Sequence, residues 1–384
     1  MAADTAPRVL LVHNRYRIEG GEERALELHA RALRDAGVEH RLFERSSGDA
    51  GKLRAAAAML RGGEHEDELA AAARELRADV VHAHNMQPLV GPRGLAAARS
   101  TGAAVVLHLH NARLFCAIGV ASRDGGPCFR CHHRFTLPGL VLNCRDSLPE
   151  SAVYTAALAR QQPSVFESVD RFVAPSRYAA GQMALLGLPA ERIEVLPHYL
   201  PAEAMADESQ ANRGSYALIA ARLAEEKGID VAIRAAAESG MPLWIAGEGP
   251  EEQPLRALAA GLPAPVEFLG RVPRSRMAPL LSEAAMVLLP SRYHEFAPYT
   301  ALEAMAAGAP VVASALGGLP EILGAERCVA PNDPGALAER MGELQDDPDL
   351  RRREGEALLA RVRAHHSEER FRAALLDLYR RLSA

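Results

Sequence analysis

Short apolar runs alternate with longer amphipathic stretches along this chain. Arg8-Val-Leu-Leu-Val12, His40-Arg-Leu-Phe43, Asp79-Val-Val81, Ala103-Ala-Val-Val-Leu107, Asp170-Arg-Phe-Val-Ala174 and Ile193-Glu-Val-Leu196 read as strands. So do Tyr216-Ala-Leu-Ile-Ala220, Leu243-Trp-Ile-Ala246, Val266-Glu-Phe-Leu269, Met286-Val-Leu-Leu-Pro290 and Val311-Val-Ala313. Helices are predicted from about Glu23 to Asp35, over an Ala-rich stretch 50–77, over 147–168, 177–186, from Gly228 to Ala237, over Pro298–Ala307 and over 334–383. Strands alternating with helices predict an α/β chain with parallel sheets. Pro197-His-Tyr-Leu-Pro201 reads as a hinge and the polar 202–214 as a linker, which gives a first domain 1–198 (with a Cys-rich insert 115–145), a second 199–365 and a last helix 366–384.

In a parallel sheet, ligands bind beyond the carboxyl ends of the strands. The segment Met286–Leu323 is the richest such place. A strand leads to the polar loop Ser291-Arg-Tyr-His-Glu295-Phe, then to a helix opened by Pro298 and followed by Gly308. A helix start offers unpaired N–H groups to a phosphate. Glu295 lies in the loop, and Glu303 leans back toward the helix start, so two carboxylates can flank one bound anion and accept from hydroxyls on either side. Arg222 and Lys227 fall in the loop after the strand at 216–220 and suit phosphate oxygens. Lys227 is one of only two lysines, the other being Lys52, in a chain that otherwise uses Arg. Paired glycines at Gly20-Gly21, and Gly247-Glu-Gly249 after another strand, permit close backbone approach to a nucleotide, and Arg271 follows the next strand. The Gly20-Gly21 turn is no dinucleotide fingerprint, because Gly-x-Gly-x-x-Gly is missing.

Two adjacent strands deliver His82-Ala-His84-Asn85 and His108-Leu-His110-Asn111 to their ends, which points to a site. His110 and then His84 are the candidates for a direct role; His82 and His108 are expected on the opposite side of their strands, as structural residues. Cys116, Cys128, Cys131 and Cys144 are spaced Cys-x11-Cys-x2-Cys-x12-Cys. The cluster reads either as a closed structural zinc site or as four separate thiols. Cys328 stands apart as a small apolar residue.

At 384 residues and 48% hydrophobic content the chain suits two domains of ordinary size. Net charge is −5 without a basic tail, which argues against nucleic acid as a partner. Residues 1–198 carry 24 basic against 22 acidic side chains and the remainder 20 against 27, so the His-rich first half better tolerates an anionic acceptor or a membrane surface. No apolar run reaches the roughly 18 residues of a membrane span, and residues 1–12 lack a signal peptide's pattern. A cytoplasmic protein, with peripheral contact at the inner membrane face left open, is expected. Asp346-Asp-Pro-Asp349 contains Asp-x-Asp but sits in a Pro-broken stretch away from any strand end, and reads as a turn.

Glu295 and Glu303, set seven residues apart within Pro290-Ser291…Glu303-Ala-Met…Gly308-Ala-Pro310-Val-Val…Gly317-Gly318…Glu321, closely resemble the signature of retaining glycosyltransferases of family 4. The segments around His110–Cys116 and Arg123–Cys131 resemble a bacterial subgroup associated with polysaccharide assembly. The resemblance implies a GT-B architecture, two Rossmann-like domains facing a cleft, with the last helix crossing back to brace the first domain. It implies a nucleoside-diphosphate sugar donor (UDP-, GDP- or dTDP-type), a hydroxyl acceptor such as a lipid-linked glycan or small aglycone, front-face transfer with retention, and no cofactor for catalysis. Gly20 and Gly21 would then face the donor diphosphate, Arg222 and Lys227 would neutralise it, and His110 and His84 would lie near the donor sugar or acceptor. Glu295 would bind sugar hydroxyls, Glu303 the ribose, Gly247 the nucleotide and Arg271 the base. The family often has Gly-Phe-Gly after the first Glu; here Phe296-Ala297-Pro298 implies altered backbone contacts to the donor sugar. A sugar-nucleotide epimerase of the same fold and a non-catalytic nucleotide-sugar-binding subunit are the rival functions.

Overall fold

The computed structural model describes residues 6–15, 20–263 and 265–383. They form two compact units: one of residues up to 121, 129–197 and 369 onward, the other of 122–128 and 198–368.

The first unit is built on a six-stranded parallel sheet of β1 (Val9–Arg15), β2 (His40–Ser46), β3 (Val80–Asn85), β4 (Ala104–His108), β7 (Arg171–Ala174) and β8 (Ile193–Val195). Their order is β2-β1-β3-β4-β7-β8. Val9, Leu10, Leu11 and Val12 are at most 1% exposed, as expected for strands covered on both faces, which is why they read as an unbroken apolar run. The helices are α1 (Gly21–Asp35), α2 (Lys52–Arg61), α3 (Glu66–Leu76), α4 (Gly91–Arg99), α5 (Leu137–Val141), α6 (Leu148–Ser168) and α7 (Arg177–Leu186). The Ala-rich stretch 50–77 is thus two helices, broken at Gly62-Gly63, where two consecutive glycines cost the helix more than its alanines return. The Glu23 carboxylate accepts the Gly20 N–H at 2.7 Å and so closes the first turn of α1.

The second unit holds β9 (Ala217–Ala220), β10 (Leu243–Ala246), β11 (Val266–Gly270), β12 (Met286–Leu289), β13 (Val311–Ser314) and β14 (Cys328–Val329) in the order β11-β10-β9-β12-β13-β14. All of these pairings are parallel, and this is the doubly wound order of a dinucleotide-binding fold. Its helices are α8 (Ile229–Ser239), α9 (Glu252–Ala260), α10 (Arg274–Ser282), α11 (Tyr299–Ala306), α12 (Leu319–Leu323), α13 (Pro334–Asp346) and α14 (Pro348–His365). One face of the sheet packs Ile219, Leu243, Ile245 and Leu288 against Val231, Ile233 and Met341 of the helices. Arg351 is 5% exposed and donates to the Leu344 and Gln345 carbonyls, satisfying the last turn of α13.

Two short strands, β5 (Ser122–Arg123) and β6 (Gly126–Pro127), pair as a hairpin inside the Cys-rich insert. Sequence puts the whole insert with the first domain, but this hairpin groups with the second unit, where Asn332 donates to the Gly125 carbonyl at 3.0 Å. The last helix, α15 (Glu368–Ser383), joins the first unit from residue 369 onward and buries Phe371, Leu375, Leu378 and Tyr379 there. Arg381 closes the contact with a fork of 3.0 and 3.2 Å to the two Glu194 oxygens.

Candidate active site

In the second unit the chain winds outward in opposite directions from β9 and β12, which are neighbours. That is the switch point where such sheets bind ligands. The loop after β9 carries Arg222 and Lys227 and ends at Gly228, the N-cap of α8. From β12 comes the loop Ser291–Pro298, leading into α11 with Pro298 as its N-cap. Arg292 ties the two loops: its N–H donates to the Glu226 carbonyl at 2.8 Å and its guanidinium to Asp230 at 2.6 Å.

Lys227 and Glu295 meet between these loops, with Nζ 2.7 Å from Oε1. Ser291 Oγ donates to the same oxygen at 2.9 Å, and the Tyr293 hydroxyl donates to Oε2 at 2.5 Å while accepting from Lys227 at 3.1 Å. Both oxygens of Glu295 are therefore engaged, and the residue is only 6% exposed. Burial alone would lower the Lys227 pKa, but the charge of Glu295 and the hydrogen bonds to Glu295 and Tyr293 outweigh it, and the ammonium is favoured. Burial first, and the Glu295 charge second, push the Tyr293 phenol upward.

Gly317 buttresses the Glu295 loop. Its φ is +63°, and a Cβ there would lie 2.4 Å from the Glu295 carbonyl oxygen. The Gly318 N–H donates to that carbonyl at 2.7 Å. Gly247, beyond β10, has φ +146° and would put a Cβ 1.9 Å from the Ala221 carbonyl, so its turn packs directly on the Arg222 loop. Arg222 is half exposed and paired with Glu226. Thr300 Oγ1 donates to the Ala220 carbonyl at 3.3 Å and fastens the start of α11 to the end of β9. Phe296 is buried, Ala297 and Pro298 are partly exposed, and Glu303 is half-buried in the second turn of α11. Arg271 is exposed after β11, two strands away from β9 in the sheet.

In the first unit the corresponding switch lies between β1 and β3. Gly20 and Gly21 open α1; residues 16–19 of the loop before them lie outside the described residues. Glu22, in the first turn, accepts from Asn111 Nδ2 at 2.5 Å. Burial raises its carboxyl to about 7, although Arg113 pulls the other way. His84 Nδ1 and His110 Nε2 are 3.1 Å apart.

The expectation that His82 and His108 turn away from this pair is wrong. Side chains two apart on a strand share a face, and the His82, His84, His108 and His110 rings stack in succession, with centroids 5.2, 4.9 and 4.5 Å apart. Burial holds His82 and His84 well below the usual imidazole range and pushes His108 down to about 3.

The four insert cysteines form no disulfide. Cys116, Cys131 and Cys144 belong to the first unit and Cys128 to the second. Cys144 stands near enough to Cys116 to add to the rise that burial causes in its thiol pKa. Among the described residues, groups of three or more candidate metal ligands within 4.8 Å consist of histidines alone.

Sequence reasoning passed over Ser291, Tyr293, Glu22 and Asn111 as partners in these constellations. The first two lie within four residues of Glu295, and Asn111 directly follows His110, so proximity to the chosen residues was the available signal.

Residues 19–203 match the family model described as Glycosyltransferase Family 4, and residues 202–358 the one described as Glycosyl transferases group 1. D-inositol 3-phosphate glycosyltransferase 1 of Catenulispora acidiphila is 29% identical over 299 residues, covering 70% of this chain and 64% of that protein. The curated relatives it matches are spanned by this chain over a fifth to just under two thirds of their own length. Sucrose-phosphate synthase from Thermosynechococcus elongatus superimposes with a TM-score of 0.72 at 18% identity, over 98% of this chain and 99% of that one. Anabaena HepE in complex with UDP-glucose superimposes with a TM-score of 0.67 at 16% identity, over 96% and 98%. Two consecutive family matches over 19–358, on two doubly wound sheets with GT-B neighbours, place this chain among the family 4 glycosyltransferases of GT-B fold.

Proposed function

We propose that the protein moves a glycosyl group from a nucleoside-diphosphate sugar to a hydroxyl acceptor, with retention and without a catalytic metal ion. The observation that carries this reading is the Lys227–Glu295 pair, set at the switch point of the second sheet beside the start of α8. A departing nucleoside diphosphate gathers negative charge, and Lys227, Arg222 and the α8 N-terminus supply the positive counterpart. Glu295 is unsuited to attack the sugar, because hydrogen bonds already occupy both its oxygens. It instead holds Lys227 charged and in place, and Glu303 takes the ribose.

In front-face transfer the C1–O bond to the phosphate breaks and its electron pair leaves with the diphosphate. The acceptor oxygen bonds to C1 on the same face, and its proton passes to the departing phosphate oxygen. HepE has been seen with UDP-glucose, which supports a nucleotide-sugar donor here. The near-neutral charge balance of the His-rich first half supports an anionic acceptor such as a lipid-linked glycan.

The test is a transfer assay across UDP-, GDP- and dTDP-sugars with NMR assignment of the product anomer. Lys227→Ala should lower turnover by about 10²–10³-fold. Wild-type turnover in both Lys227→Ala and Glu295→Ala, or an inverted product, would overturn the reading.

A further inference from the structure

Five side chains of the first unit are joined by four consecutive hydrogen bonds. His110 Nε2 lies 3.1 Å from His84 Nδ1, and His84 Nε2 lies 2.7 Å from His29 Nδ1. His29 Nε2 is 2.8 Å from the Tyr379 hydroxyl, which is 2.7 Å from His82 Nδ1. The chain of bonds runs from just past β4, through β3 and α1, to α15. His29, His82 and Tyr379 are fully buried, and His84 is 3% exposed.

Burial keeps His29, His82 and His84 neutral, so each ring carries a single proton. A neutral imidazole donates through one nitrogen and accepts through the other, so the direction of one bond dictates the next. Two arrangements satisfy all four bonds and also use the Tyr379 hydroxyl proton. A third, in which His29 and His82 both donate to the Tyr379 oxygen, leaves that buried proton without an acceptor and is excluded on that ground. In the first, His82 Nδ1 donates to the Tyr379 oxygen, the Tyr379 hydroxyl donates to His29, His29 to His84 and His84 to His110. His82 Nε2 is then a bare lone pair. In the second every direction reverses, and His82 Nε2 must carry the proton. That nitrogen is buried and has no hydrogen-bond partner. A buried N–H without an acceptor is less tolerated than an under-used lone pair, so the first arrangement wins.

We propose that Tyr379, His29 and His84 are positioning residues that fix His110 in the tautomer protonated at Nδ1, presenting it as a hydrogen-bond donor toward a sugar or acceptor oxygen. The role at the sugar rests on the function proposed above; the tautomer does not. A metal centre is the competing use of these rings, since ligand nitrogens of His29, His82, His84 and His108 fall within 4.8 Å of one another. The His29–His84 separation of 2.7 Å is that of an N–H···N bond. It is shorter than the roughly 3.3 Å between two nitrogens on one tetrahedral zinc. The His82, His84 and His108 rings also stack instead of converging on a point.

Long-range ¹H–¹⁵N correlation on the full chain with labelled histidine distinguishes protonated from bare ring nitrogens. The wild-type protein should show His110 protonated at Nδ1 and bare at Nε2, and His82 bare at Nε2. His84→Phe keeps a ring in place but removes the direct donor to His110 Nε2. It should leave His110 a mixture of tautomers and lower kcat by about five- to tenfold, with KM for the donor unchanged. His110 protonated at Nε2 in the wild type would overturn the proposal without recourse to any variant. So would an unmixed tautomer in His84→Phe, or zinc ions displacing the ring protons of His29 and His84. Full activity in His110→Ala would instead remove the role at the sugar and leave the tautomer assignment standing.

Discussion

Glu295 keeps its side chain for its own unit: Lys227 and Ser291 share one oxygen and Tyr293 holds the other. Glu295→Gln keeps the volume but removes the charge that offsets burial of the ammonium, and an amide nitrogen cannot accept from Tyr293. Denaturant unfolding should show a loss of about 2–4 kcal/mol, and unchanged stability would mean the pair is not the anchor of this loop. Glu22 behaves in the opposite sense. Its carboxyl is raised from 4.5 to about 7 in the folded chain, mainly by burial, so the protonated form is the folded one. Its stabilising contribution is complete below the unfolded pKa and fades as pH rises through 7. Glu22→Gln, which mimics the protonated acid, should be more stable than wild type above neutrality by the order of 2–3 kcal/mol and lose that advantage toward about pH 4.5. Parallel stability–pH curves for the two proteins would contradict the assignment.

At the scale of elements, the loop that presents Glu295 depends on the turn before α12. Alanine at Gly317 would need φ near +63° and would bring its Cβ to 2.4 Å from the Glu295 carbonyl. Gly317→Ala should cost about 1–3 kcal/mol and depress turnover more than it depresses the melting temperature would suggest, because the displaced residue is Glu295 itself. A variant with normal kcat would show that this turn does not position the carboxylate. Most elements could be read from residues close in sequence, since strands buried on both faces write themselves as apolar runs, as Val9–Val12 and Met286–Leu289 do. The same locality made the Arg222, Lys227 and Glu295 loops legible. Helix α4 was not, because Gly91 and Gly94 blur its period. The histidine–tyrosine chain lay further out of reach: it joins His29 to a residue 350 positions away, and only packing of α15 brings them together. Cysteine spacing, for the complementary reason, does not say which unit each thiol folds into.

For the whole molecule, the uneven placement of buried histidines makes the two units unequal in acid. His29, His82, His84 and His108 are all lowered by burial in the first unit. Each is neutral when folded and takes a proton on unfolding, so its stabilisation is present above about pH 6.5 and is lost as pH falls below it. Glu22 runs against this trend over part of the same range, because it binds its proton in the folded state. Four protons against one leave a net uptake of about three on unfolding, or roughly 4 kcal/mol lost per pH unit once the unfolded histidines are fully charged. In the second unit, burial lowers only His294 and His366 among the histidines with resolved shifts, and neither is pushed as far. The single tryptophan, Trp244, stacks on Tyr216 in that unit with centroids 3.9 Å apart and reports on it alone. Moving from about pH 7.5 to about pH 5.5 should therefore raise amide exchange across β3 and β4 while Trp244 emission stays native. Equal loss of protection in β9 and β12, or full protection of β3 at the lower pH, would show that the buried imidazoles do not set the acid limit of this chain.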